Sequence, residues 1–313
     1  MDPSFALLAS LSGVQPLEVI STYVAGTALL VVGLLAARSD AKQARGLDKI
    51  VVLSNLFFAL PLAVFGAEHL AADKFIVEAV PPYMPWRLFW VYFVGVALMA
   101  AALSIASRIL VRWSGLFFGI MLFSFVAMLS IPAVLESPRE QISWVLTLRD
   151  MSFAGGGWVL AGHAMDSSRA HRGKVLVTVG RILIGIAAVF FGVEQFLRPL
   201  ACPGVPLEKL MPVWIPGRAL IGYVTAVILF TAGASILLAK KTRRAATYLG
   251  TWMLLLVATV YAAILVASMS DPSLDVQLEA VNYFADTLLF AGTVLALAMA
   301  SAQAESSSVE SPG

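Results

Sequence analysis

The stretch PPYMPWRLFWVYFVGVALMAAALSIAS, residues 81–107, decides how this chain is read. Prolines and one arginine, Arg87, open it, and no charged residue follows before Ser107. A helix rises about 1.5 Å per residue, so twenty such residues cross a hydrocarbon core of about 30 Å. The stretch returns 131 positions later as PVWIPGRALIGYVTAVILFTAGASILL, residues 212–238. Pro85/Pro216, Arg87/Arg218 and Tyr92/Tyr223 fall in register, as do Ala101, Ser104 and Ile105 with Ala232, Ser235 and Ile236. The apolar runs are continuous and do not alternate, which selects helices over a barrel.

The rest of the chain has the same character. Of 313 residues, 60% are hydrophobic and 13% charged, where a soluble domain is about a quarter charged. A net charge of +2 leaves no electrostatic footprint for nucleic acid. The expected partner is the lipid bilayer, and the expected class is an all-α transmembrane protein. Charges and turn residues cut the chain into nine spans, at 17–37, 49–70, 86–107, 113–132, 142–165, 175–198, 217–239, 245–268 and 278–301. Thirteen Lys and Arg lie in the loops at 38–49, 108–112, 169–174 and 240–244, against six in the loops on the other side. That bias predicts an inner (cytoplasmic) membrane protein with its N-terminus outside and its C-terminus inside. Residues 1–16 hold no Lys or Arg, so the first span is expected to be retained and not cleaved as a leader.

The repeat extends beyond its best stretch. VFGAEHL (64–70) matches FFGVEQF (190–196) at an offset of 126, and Asp150/Asp286 and Gly156/Gly292 match at 136. The chain is therefore expected to be one N-terminal helix with an inner loop (1–48) and two homologous four-helix bundles (49–165 and 175–301). An inner linker (166–174) joins them, and a disordered Ser- and Glu-rich tail (302–313) follows. An even number of spans per unit makes the repeat parallel, unlike inverted-repeat transporters. Gly115 and Gly119 form a small-xxx-small pair suited to close helix packing. Pro61 is expected to loosen its span locally.

The polar residues inside these spans need an explanation, because ionisable groups in a membrane are expensive. Each unit is expected to gather, in its outer half, a carboxylate from its first helix, an Arg from its second and an Asp from its fourth. The candidates are Glu68, His69, Arg87, Arg149 and Asp150 in the first unit, and Glu194, Arg218 and Asp286 in the second. Two readings stay open. In one, the groups pair to pin the bundle, Glu68 with Arg87 or Arg149 and Glu194 with Arg218. In the other, they line a pocket open to the outside where Glu68 and His69 handle protons. Arg149 and Asp150 are neighbours, about 100° apart on a helix, and are expected to need separate partners. Arg181 is expected to snorkel to the inner interface.

Other chemistries lack their residues. The single cysteine, Cys202, excludes a CxxC pair and an intrachain disulfide and reads as an inert loop thiol. The histidines, His69, His163 and His171, fall at different depths and do not make a bis-His haem site. No P-loop, zinc spacing or GxSxG is present, and no metal site is expected.

At VFGAEHL with YMPWR, and at GRILIGIAAVFFGVEQF (180–196), the sequence resembles the DoxX-like membrane protein family. The family's unit is four helices, with an Arg near the start of the first and an F-x-G-like stretch at its end. Arg181, Gly185 and Gly192 fit that pattern and Glu194 follows; in the first unit Asn55 stands where the Arg would be. The resemblance implies a membrane subunit or scaffold with an outward-facing polar site. It also implies an alternative, a quinone-linked subunit of a sulfur-oxidising complex, in which Glu68, His69 and Glu194 handle protons beside a quinone. A partner subunit would then supply the redox centre. A third reading, a small-molecule transporter, predicts helices broken at mid-depth. No cofactor signature stands in the sequence, and whether the protein is an enzyme stays open at this point.

Overall fold

The computed structural model describes residues 16–205 and 208–309. Residues 1–15, which bear on the expectation of a retained first span, and the tail's last residues, 310–313, lie outside the described residues. Among the described residues the chain is helical, with no strand and one isolated antiparallel bridge, Ala201–Leu210. Helices satisfy every backbone group internally, which is what a hydrocarbon environment demands.

The long helices are α1 (Leu17–Gln43), α2 (Ser54–Ala71), α3 (Arg87–Ala106), α4 (Val111–Glu136), α5 (Gln141–His163), α6 (Ala170–Leu197), α7 (Arg218–Leu237), α8 (Thr242–Ser268) and α9 (Leu274–Val309). All except α5, eight in number, are long and apolar enough to cross a membrane, as a multi-pass membrane protein requires. At 23 residues α5 has the length, but Arg149, Asp150 and a run of three glycines make it less apolar than a lipid-facing span. It tolerates them because its neighbours are protein: α4, α6 and α9 pack around it.

Three local expectations are corrected. The helix is continuous through Pro61, which is buried among its neighbours, and the interruption falls earlier, at Val52–Leu53, after a short helix, Asp48–Val51. Instead of ending at 301, α9 runs to Val309, so helix enters the tail expected to be unstructured. A helix already nucleated by packing propagates into good helix formers such as Ala302, Gln303, Ala304 and Glu305. The halves, finally, are not separate bundles. Within them α2 packs on α3, α4 on α5, α6 on α7 and α8 on α9, but α5 also packs on α6 and α9 on α2. The first helix of each half thus lies against the last helix of the other. α5 and α9 meet in the middle, and α1 rests on α2.

Glycine sets how closely these helices approach. A Cβ on Gly155 of α5 would lie 3.0 Å from the Gly180 carbonyl oxygen of α6, and one on Gly173 would lie 2.7 Å from that of Gly162. The close packing expected at Gly115 and Gly119 is present: they meet the backbone of Gly157 and the Trp158 ring.

Segments 86–131 and 217–262 correspond feature by feature after a shift of 131 positions. Helices α3 and α7 both have 20 residues and begin at Arg87 and Arg218. Positive φ occurs at Trp86 and Gly217, at Arg108 and Ala239, and at Leu110 and Lys241. The turns close alike, with Ile109 N–H donating to the Ser104 carbonyl (3.0 Å) and Lys240 N–H to that of Ser235 (2.9 Å). Both α4 and α8 widen into one π-helical turn, Val126–Ser130 and Val257–Tyr261.

Candidate functional site

The face bearing the 198–217 loop is called the loop face below, and the one bearing the Lys- and Arg-rich loops the basic face. Toward the loop face, α9 presents Asn282 and Asp286, one turn apart on one side of the helix. Asn282 Nδ2 donates to Glu68 Oε1 of α2 at 3.0 Å. Asp286 Oδ2 accepts from Arg149 Nη1 of α5 at 2.9 Å, and Arg149 Nε donates to Asp150 Oδ1 at 2.9 Å. Glu68 and Asp286 are buried; the Arg149 and Asp150 side chains are 22% and 17% exposed. The result is two polar links side by side across three helices, Glu68–Asn282 and Asp286–Arg149–Asp150. Together they draw on both halves, and their carboxylates outnumber their guanidinium three to one.

That arrangement differs from the expected pairs. Arg149 reaches Asp150 although the two are adjacent, because its long side chain bends back while its far nitrogen spans to Asp286. Arg87 does not meet Glu68. It donates to the Val80 carbonyl (2.9 Å) and to that of Val77, at the end of the short helix Asp73–Ala79, where carbonyls have acceptor capacity to spare. Arg218 does not meet Glu194 either, and donates to the Met211 carbonyl at 2.9 Å. Both arginines thus bind the carbonyl seven residues before them. Glu194 faces Arg198, 4.0 Å away on its own helix. His69 Nδ1 lies 2.7 Å from the Phe65 carbonyl and, since a carbonyl only accepts, must carry the proton of that bond. His69 packs over Gly95 of α3 while Glu68 faces α9, so the two point apart.

Arg181 has a specific partner. Its Nη1 donates to the carbonyls of Ile236 (2.6 Å) and Leu237 (2.9 Å), capping α7. In the other half Asn55 Nδ2 donates to the Ile105 carbonyl at 3.4 Å, the equivalent place on α3.

Sequence reasoning passed over how the 198–217 loop folds back between α6, α8 and α9. Tyr261 Oη donates to the Pro203 carbonyl at 2.6 Å, Gln195 Oε1 accepts from Gly204 N–H at 3.3 Å, and Lys209 N–H donates to Tyr283 Oη at 3.0 Å. Within the loop Ala201, Cys202, Val205 and Met211 are buried. The legible signal was two polar groups inside spans, Gln195 and Tyr261, with no partner of their own kind nearby in sequence.

Burial pushes the Cys202 thiol up to about 12, helped by the Glu279 carboxylate and opposed by Lys209. Alkylation needs the thiolate, so at pH 7.5 Cys202 is expected to react about a thousandfold more slowly than an exposed cysteine of ordinary pKa near 8.5. Its rate should climb about tenfold per pH unit to well above pH 9, where an ordinary thiol levels off. A maleimide time course checks this. Tyr261→Phe removes the Pro203 tether, at a cost of about 1–3 kcal/mol for a buried acceptor left unpaired. It should speed labelling at least tenfold; an unchanged rate would mean the tether does not hold the loop.

Comparison of the chain with protein-family models, with curated proteins and with solved structures gives no match in any of the three.

Proposed function

We propose that the protein is a membrane subunit or scaffold of DoxX-like type, built by internal duplication. In this reading all nine long helices cross the inner membrane, with the N-terminus outside, the C-terminus inside and the loop face outward. The observation that carries it is the bridge from Arg149 to the buried Asp286, which joins the two halves. Arg87, Arg181 and Arg218 each cap backbone carbonyls. Charged groups used this way hold a shape on which a partner assembles. The shift of 131 positions shared by helix bounds, positive-φ residues and π-helical turns supports the duplication.

One observation favours the quinone-linked reading: Glu68 is buried, with a neutral Asn282 and, among the described residues, no ion pair at its carboxylate. Such a group is suited to exchanging a proton with a bound quinone, electrons coming from a partner. The transporter reading asks for helices broken at mid-depth; α2 stays continuous through Pro61, and α4 and α8 only widen.

The test is purification from native membranes in mild detergent, with mass spectrometry of the proteins and lipids retained. The scaffold reading expects a stoichiometric protein partner and no quinone, unchanged by Glu68→Gln. Bound quinone in the wild type, reduced at least tenfold by Glu68→Gln, would replace that reading with the second.

A further inference from the structure

On the basic face a cavity of about 480 Å³ opens between the two halves, where Leu47 and Asp48 approach the first two turns of α8. That size falls within the range of small-ligand sites. Its α8 wall is Lys241, Arg243, Arg244 and Tyr248. Arg243 is held against Asp48 at 3.0 Å, which fixes the wall across the halves. Among the described residues Lys241 and Arg244 form no ion pair with a carboxylate, and both are exposed. Three cations therefore face one carboxylate in a concave site.

Its position along the helix identifies the environment. From Ala245 to Ser268, α8 carries no charged residue, so Lys241 and Arg244 stand at the boundary between water and hydrocarbon. Tyr248, 64% exposed, and Leu255, 50% exposed, continue from the cavity along one side of the helix into the apolar zone. Basic cavities between helices at that level suit phosphate headgroups.

The corresponding place in the other half separates what the turn requires from what the charges add. Leu110 and Lys241 share the same positive φ, yet 131 positions before Lys241, Arg243, Arg244 and Tyr248 stand Leu110, Arg112, Trp113 and Phe117. The one cation there, Arg112, lies over the Trp113 ring at 4.9 Å and 3.8 Å from Asp166. The backbone therefore builds the turn without these cations, and the excess positive charge has no counterpart at the corresponding place in the other half.

We propose that Lys241 and Arg244, with Arg243 braced by Asp48, form a binding site for a phosphate group, presented by an anionic phospholipid whose chains follow Tyr248 and Leu255 or by free phosphate. The test uses the full chain in detergent, with native mass spectrometry of retained phosphatidylglycerol against phosphatidylcholine. Two cations at about fivefold each predict a preference of about twenty- to thirtyfold for the anionic lipid. Lys241→Asn with Arg244→Gln should bring it within about threefold, and asparagine suits the positive φ of that turn. Asp48→Asn, which removes the opposing charge, should raise the preference, an outcome that misfolding cannot imitate. Inorganic phosphate at millimolar concentration distinguishes the sources: displacement of the lipid assigns the site to free phosphate, and retention assigns it to the lipid. A wild type that does not discriminate between the two lipids, or a preference untouched by Lys241→Asn with Arg244→Gln, overturns the proposal.

Discussion

Asp286→Ala is expected to destabilise the protein by about 3 kcal/mol, the low end of the penalty for breaking a buried ion pair, because Arg149 keeps a second carboxylate. The variant leaves the Arg149 guanidinium with Asp150 as its remaining carboxylate. Thermal unfolding in detergent micelles measures the loss. Two further variants separate charge from packing. Asp286→Glu keeps the carboxylate and should recover most of the stability. Arg149→Met combined with Asp286→Leu removes both charges of the bridge and should cost less than Arg149→Met alone, which strands two carboxylates, since an apolar pair of similar volume often replaces a buried bridge without loss. A combined loss equal to the sum of the two single losses would mean that the groups do not interact in solution.

The second large effect is expected at Gly180. A side chain there meets the Gly155 carbonyl oxygen of α5 in direct contact and the Val159 side chain at 2.7 Å. A backbone carbonyl in a helix cannot yield, so Gly180→Val should force α5 and α6 apart and cost about 3 kcal/mol, the upper part of the usual overpacking range. Gly66→Ala provides the contrast. Its new methyl meets the Met99 side chain at 2.8 Å and the Gly95 carbonyl oxygen only at 3.1 Å; methionine repacks readily and the carbonyl contact need open by only a few tenths of an ångström, so the change should cost about 1 kcal/mol. Equal losses in the two variants would show that α5 and α6 are not packed through these glycines.

Much of the fold was legible because a membrane imposes a simple rule on sequence. The span expected at 86–107 is helix at Arg87–Ala106, and that expected at 217–239 is helix at Arg218–Leu237. The pairing of helices was not legible. Ridges and glycines decide which faces meet, and hydropathy carries no record of that choice. For this reason Glu68, Arg149 and Asp286 were found as residues, while the expected pairing of Glu68 with Arg87 or Arg149 missed Asn282. Each was first referred to its own half, whereas the partner of Arg149 stands on α9, 137 residues away. The four-residue spacing of Asn282 and Asp286 was readable as one helix face; that α2 and α5 would both lie against it was not. The buried loop at 198–217 escaped for a different reason. Its proline, glycine and cysteine read as surface turn, and its burial depends on Gln195 and Tyr261, which reach it from α6 and α8.

The exchange of partners between the halves bears on how the protein is made. Helix α2 leaves the ribosome early, while α9, one of its main neighbours, is synthesised more than two hundred residues later. Contacts so far apart in sequence form late. Until then α2 has α1 and α3 for cover, and the face that carries Glu68 waits without Asn282. Among the described candidate spans the most enclosed, α9, is made after all those it packs against. Synthesis halted before residue 274 would leave an inserted but open assembly, with Arg149 and Glu68 facing lipid, and such a chain is a natural target for membrane proteases.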